Sequence, residues 1–321
     1  MSVHTPISFA ELSRFLRSYE LGDLLEFEGI TAGVENSNFF VTTTRGKYVL
    51  TLLEQYDLDQ ASYFFALMDW MAQAGIPSAM PLRDRQHSLR HSLNGKPAVL
   101  VERLAGHILT HANVEQCAII GQVLAQIHLA GKDFPHYRAP DRGHVWRQQT
   151  TNHLLPLLDK HDSALLRQEM AFQQQVPLDQ LPQGVIHADL FCDNVLFDQQ
   201  QLTGVIDWYY ACHDPWLYDV AIVVNDWCCD SSGALDPERL TICLQTYHQL
   251  RPFTPAEAEQ FWGLVRAAAL RFWLSRLVAW HLPQQHMQQI ILRKDPEEFR
   301  QKLQLRQQDE SLLHQCWPKS L

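Results

Sequence analysis

Three short apolar segments, Val185-Ile186-His187, Val195-Leu196-Phe197 and Gly204-Val205-Ile206-Asp207, interrupt a mostly helical stretch of the chain. Runs of this length bounded by polar residues read as short buried strands. The second and third are separated by Asp198-Gln-Gln-Gln201, which suits a hairpin. Within this stretch His187, Asp189, Asn194 and Asp207 each sit at the end of a strand or just after one. The fold has to allow their side chains to converge at one edge.

That set of residue types fits phosphoryl transfer. The reaction asks little covalent chemistry of a protein: a carboxylate to orient the acceptor hydroxyl, and Mg2+ held against a triphosphate by oxygen ligands. Asp189 fits the first role. Asn194 and Asp207 are hard oxygen donors of the kind Mg2+ takes, with its other positions left to phosphate and water. His187 suits bracing the loop by hydrogen bonds better than moving a proton. An isolated His-x-Asp is weak in a chain with sixteen histidines. Its conjunction with Asn194 and a strand-borne Asp207 is far more specific.

The pattern around this segment changes once along the chain. Residues 6–20 have helical spacing, with Ser8 as N-cap and Glu11 at the capping-box position. Strands are expected over Leu25–Gly29, Asn38–Thr43, Lys47–Leu53 and Pro97–Glu102, with a helix from Leu58 to Ala74 closed by Gly75 and Pro77. After Gly106 helices dominate: Val114–Ala130, a Gln-rich polar pattern over 150–180, long helices to about residue 280, and a last amphipathic one over 297–313.

Composition narrows the partners. The 321 residues carry a formal net charge of -10, which argues against a nucleic-acid surface. No apolar run reaches bilayer length and the N-terminus has no basic and apolar signal regions, so a cytoplasmic protein away from membranes is expected. The seven scattered cysteines read as reduced thiols, and no His or Cys spacing suggests a structural metal.

His187-x-Asp189-x4-Asn194 with Ile206-Asp207-Trp208 resembles the aminoglycoside phosphotransferase and choline kinase group. Gly33-Val-Glu-Asn36, Leu104-Ala-Gly106 and Tyr218-Asp219-Val-Ala221 extend the likeness. Ala32-Gly33-Val-Glu-Asn36-Ser-Asn38-Phe-Phe, Tyr48-Val-Leu-Thr51-Leu, Asn225-Asp-Trp-Cys228 and Arg271-Phe-Trp-Leu-Ser-Arg276 are similar to strings of the bacterial homoserine kinases built on that fold. The resemblance implies an α+β, two-lobed protein-kinase-like fold. Residues 1–104 would form a small antiparallel nucleotide-binding lobe, and 105–321 a larger, mainly helical catalytic and substrate-binding lobe. It also implies ATP between the lobes, adenine against Glu102 to Leu104, and a phosphate-covering loop contributed by Gly33, Asn36, Ser37 and Asn38, with Mg2+ as cofactor. One departure stands out. Where the superfamily has a strand lysine for the phosphates, this chain has Thr51; Lys47 shares its strand face four residues earlier.

Homoserine is a zwitterion with a primary hydroxyl, so its site needs a cation, an acid or carbonyl, and Asp189 beside the hydroxyl. Arg271 or Arg276, on a helix apolar nearly all round, could clamp the carboxylate, or could close an internal ion pair with Asp219 or Asp226. Asp226 is the expected ammonium partner. Asn225, Tyr209 and Tyr210 would face the same space. Other hydroxyl acceptors (choline, an aminoglycoside, methylthioribose) would prefer an acidic or aromatic cage. Thr51 also leaves open a regulatory pseudokinase.

Overall fold

The computed structural model describes residues 3–30, 35–282 and 294–319. These cluster into two compact units: the described residues up to Gly106 together with 203–206, and the rest.

The first unit is a five-stranded sheet of β1 (Leu24–Gly29), β2 (Ser37–Thr43), β3 (Gly46–Leu52), β4 (His91–Leu93) and β5 (Lys96–Glu102), in the order β1-β2-β3-β5-β4. Every pairing is antiparallel. Alternation decides its core: Phe39 and Val41 of β2 and Tyr48, Leu50 and Leu52 of β3 point to one face, where Leu12 and Leu16 of α1 (Phe9–Leu16) pack on them. Ser8 caps α1 and forms the capping box with Glu11, as the sequence predicts. Helix α2 (Leu58–Gln73) packs on β5, whose interior residues are buried on both faces. The three-residue β4 was not expected, because His91-Ser-Leu93 is too short to show a period.

The second unit is mainly helical: α3 (Val114–Gly131), α4 (His144–Leu154), α5 (Lys160–Gln173), α6 (Trp216–Trp227), α7 (Pro237–Leu250), α8 (Pro255–His281), α9 (Pro296–Arg306) and α10 (Glu310–Cys316). Helices α3 and α7 pack together closely; a Cβ on Gly121 would come within 2.3 Å of the Cys243 carbonyl, so only glycine fits that crossing. Helix α8 is buried over most of its circumference because α4, α5, α6, α9 and α10 all pack on it. The expected helix over 297–313 is two helices, broken at 307–309, where Asp309 turns back to pair with Arg306.

Short strands are set among these helices. β6 (His107–Ile108) pairs with β8 (Val195–Asp198), which turns into β9 (Gln201–Val205); β7 (Gln183–Ile186) pairs with β10 (Cys212–Pro215). All seven cysteines are buried free thiols. Among the described residues no helix is long and apolar enough to cross a membrane.

Candidate active site

The segment from His187 to Asn194 has little regular structure of its own, and α6 holds it in place. Asp219 is fully buried, and its two carboxylate oxygens accept the backbone N–H groups of His187 (2.8 Å) and Ala188 (2.9 Å). Seven residues on, Asp226 accepts the N–H of Cys192 at 2.7 Å, and Trp227 donates its indole N–H to the Leu190 carbonyl at 2.9 Å. Spacings of seven and eight lie on one helix face, so α6 acts as a ruler along which the loop is fixed. The grip lets the loop keep Ala188 at φ +63°, a left-handed conformation that costs a non-glycine residue about 1 kcal/mol or more.

Asp219 is itself braced. His128, wholly buried, has Nε2 3.2 Å from the Asp219 carboxylate and Nδ1 2.7 Å from the Tyr247 hydroxyl. Burial lowers the imidazole's pKa against the pull of Asp219. The neutral ring then donates from Nε2 to Asp219 and accepts at Nδ1 from Tyr247. His187 is equally buried: its Nδ1 accepts the Asp189 N–H at 3.3 Å and its ring lies against Trp208, centroids 4.7 Å apart. These are bracing contacts.

Asp189 meets Arg271 of α8, with Nη1 3.3 Å from its carboxylate. Burial raises its pKa above the usual aspartate range, and the Arg271 guanidinium opposes that rise. Arg271 is held in turn over the rings of Phe272 (3.8 Å) and Tyr210 (5.0 Å). A carboxylate with a raised pKa, aimed by a buried cation, has the character of a general base.

Asn194 closes the loop by donating Nδ2 to the Asp189 carbonyl (2.8 Å) and carboxylate (3.1 Å), which directs its amide oxygen the other way. The β8–β9 hairpin starts just after Asn194 and ends two residues before Asp207, whose φ of +62° and ψ of 56° turn the chain sharply after the strand. An amide oxygen and a carboxylate make a donor set suited to Mg2+. Among the described residues no three His, Cys, Asp or Glu side chains gather as a metal cage.

In the first unit, Thr51 and Asn38 are cross-strand partners, joined by a 2.6 Å hydrogen bond from the Thr51 hydroxyl to the Asn38 amide oxygen. Asn36 accepts the Glu54 N–H at 3.3 Å. The Ser37 side chain is committed elsewhere. Its wholly buried hydroxyl donates to Glu54 (2.6 Å) and accepts the N–H groups of His4 (2.8 Å) and Thr5 (3.0 Å), so its side chain fastens the N-terminal segment and has nothing left for a phosphate. Glu102 ends β5 with its side chain exposed, and Leu104 follows half-buried. Gly33 lies outside the described residues.

Three expected substrate contacts have partners within the protein. Asn225 is buried in the core, its Nδ2 bound to the Ala221 and Val265 carbonyls and its Oδ1 to Arg306 Nε at 2.9 Å. Arg276 pairs with Glu298 and the Asp295 carbonyl, both at 2.7 Å, an internal ion pair with a partner other than Asp219 or Asp226. Asp226 spends an oxygen on Cys192 and anchors the loop. Tyr209 is buried in the single 3-10 turn after Asp207. Arg306 was not legible beforehand, because a basic residue near the end of a polar helix reads as surface.

The profile of the phosphotransferase enzyme family matches residues 26–253. The chain is 44% identical over 299 residues to the homoserine kinase of Methylobacillus flagellatus, covering 93% of each protein. It is 41% identical over 311 residues to that of Janthinobacterium sp. (strain Marseille), covering 95% of this chain and 96% of the relative. In fold it is similar to spectinomycin phosphotransferase solved with ADP and spectinomycin (TM-score 0.66, 14% identity, 94% of this chain and 95% of that one). A microcompartment-associated aminopropanol kinase is similar too (TM-score 0.68, 15% identity, 96% and 99%).

Proposed function

The chain belongs to the phosphotransferase enzyme family, and we propose that within it the chain transfers the γ-phosphoryl group of ATP to the side-chain hydroxyl of L-homoserine. Homoserine as acceptor is supported by near-full-length similarity to proteins named homoserine kinase. The chemistry is supported by one observation above the rest: Asp189, its pKa raised by burial, sits on a loop that α6 fixes at four backbone groups.

In the proposed reaction the acceptor oxygen bonds to the γ-phosphorus as the bond from that phosphorus to the β–γ bridging oxygen breaks. ADP leaves with the electron pair, and the hydroxyl proton passes to Asp189. Arg271 aims the carboxylate and limits how far its pKa rises. Asn194 Oδ1 and the Asp207 carboxylate would hold Mg2+, which when bound neutralises charge on the phosphates. In the first unit, the backbone of the Gly33–Asn38 loop would cradle phosphates as an anion nest, and Glu102 to Leu104 would meet the adenine. Thr51 adds no cation there, so phosphate charge falls to backbone N–H groups and the metal.

The test measures ADP release with a panel of acceptors: L-homoserine, choline and an aminoglycoside. Homoserine should give the highest kcat/KM by at least about tenfold, the scale of one lost charged contact. Turnover of choline with none of homoserine would overturn the acceptor.

A further inference from the structure

Helix α4 is polar on its buried face as well as on its exposed one. Its buried residues are Arg147, Thr150, Thr151 and Leu154, spaced as one helical face. A helix that carries Arg and Thr inward places polar groups where apolar ones usually pack. Arg147 is only 5% exposed, yet its Nε and Nη1 have no hydrogen-bond partner, and neither does the Thr151 hydroxyl one turn on. Buried polar groups are almost always paired, and an unpaired guanidinium is among the costliest exceptions. Further unpaired groups lie on helices α6 and α8, among them the buried Tyr218 hydroxyl in the first turn of α6 and Ser275 on α8, one turn from Arg271. The Arg147 guanidinium lies 5.8 Å from the centre of the Tyr218 ring, and α4 packs on α8.

The acid of the same neighbourhood is Asp214 on β10. It shares a strand face with Cys212, whose charged surroundings include Arg271 and Asp219. Among the described residues the Asp214 side chain makes no hydrogen bond or ion pair, although Arg147 is near enough to act on its carboxylate. A buried arginine on α4 and a half-buried aspartate on β10, not joined to each other by an ion pair among the described residues, carry the opposite charges that a zwitterion would match.

We infer that Arg147, with the Tyr218 hydroxyl, receives the α-carboxylate of an amino-acid acceptor, and that Asp214 receives its α-ammonium. The clamp rests on the functional reading above and deepens it, because it selects the acceptor by charges remote from its hydroxyl. It also moves the carboxylate contact away from Arg271, which is already committed to Asp189.

Two truncated acceptors separate the halves of the clamp. 3-Aminopropan-1-ol is homoserine without its carboxylate, and 4-hydroxybutanoate is homoserine without its ammonium. In Arg147→Met the ratio of kcat/KM for homoserine over 3-aminopropan-1-ol should fall by about 10- to 100-fold, as expected for losing hydrogen bonds to a buried charge. In Asp214→Asn the ratio of homoserine over 4-hydroxybutanoate should fall by about tenfold. Tyr218→Phe, which deletes one oxygen and keeps the packing, should lower the first ratio by about 3- to 10-fold and so stands in if Arg147→Met does not fold. Ratios that stay within about twofold in these variants, while the unaltered chain turns over homoserine, overturn the clamp alone. No turnover of homoserine by the unaltered chain overturns the functional reading, and the clamp with it.

Discussion

Helix α6 looks onto two regions that treat their polar groups in opposite ways. Toward the loop of residues 187–194, its acids are spent: Asp219 and Asp226 hold backbone N–H groups, and His128 and Tyr247 stand behind Asp219. Toward α4, Tyr218 of the same helix has an unpaired hydroxyl, near an arginine whose N–H groups are equally unpaired. Tyr218 and Asp219 are adjacent in sequence, so about 100° of rotation around the helix separates a braced face from one left open, in the sense that its buried polar groups have no partner. The contrast matches the two proposed roles. A reacting carboxylate must be held within a fraction of an ångström, which demands saturated support; a surface that receives a polar ligand must keep its donors available until the ligand comes.

The comparison is broken most severely at Asp189. Replacing it by Asn keeps the shape and removes the proton acceptor, and kcat should fall by about 10²- to 10⁴-fold. Single-turnover measurement of phosphoryl transfer checks this, and activity retained within tenfold would remove Asp189 from the proposed reaction. Next in size is Asp219→Ala. It strips partners from two buried N–H groups and from His128, and should cost about 3 kcal/mol of stability, read from the urea midpoint. The matching removal on the open side, Tyr218→Phe, should leave the midpoint nearly unmoved, because no hydrogen bond is lost. Equal costs at the two neighbours would abolish the distinction.

How much of this could be read from the chain depended on whether the partners of a residue are close in sequence. His187, Asp189 and Asn194 form a contiguous motif whose own spacing carries the expectation of phosphoryl transfer, and the strand alternation of Phe39 to Val41 and Tyr48 to Leu52 is local too. The role of Asp219 is not local. It sits in an apolar run some thirty residues beyond the loop it holds, where an acid reads as an interruption. Asn225 and Asp226 were legible as buried polar residues, and their partners, Arg306 and Cys192, were not. Arg147 was missed for a different reason. It stands beside a Gln-rich segment with no apolar stripe, and only the packing of α4 reveals that Arg147 faces inward.

A subtler break separates aim from charge at the base. Burial raises the pKa of Asp189 and Arg271 restrains it. The base is active when deprotonated, so kcat/KM should fall as pH drops through this raised pKa, above the ordinary aspartate range. Arg271→Met removes the restraint and should move the acid limb to higher pH; Arg271→Lys should restore part of the shift. A limb that does not move in Arg271→Met would mean that Asp189 is not the titrating base.

The smallest expected effect belongs to the open side and depends on sign. Burial pushes Asp214 up to about 6, against the pull of Arg147 and with help from Asp219. Its carboxyl therefore binds a proton more tightly folded than unfolded. Stability from this group is fully present below the ordinary aspartate value and is lost as pH rises through about 6. Asp214→Asn carries no such dependence. In the absence of acceptor, its urea midpoint relative to the unaltered chain should be higher at pH 7.5 than at pH 5, by on the order of 1 kcal/mol in stability. Added homoserine should shrink that difference at pH 7.5, because the ammonium of the acceptor would relieve the buried charge that the variant lacks. A braced aspartate would do the reverse and stabilise the chain most at neutral pH. The direction of one pH dependence thus tells whether Asp214 belongs with Asp219 or, as its missing partners indicate, with Arg147.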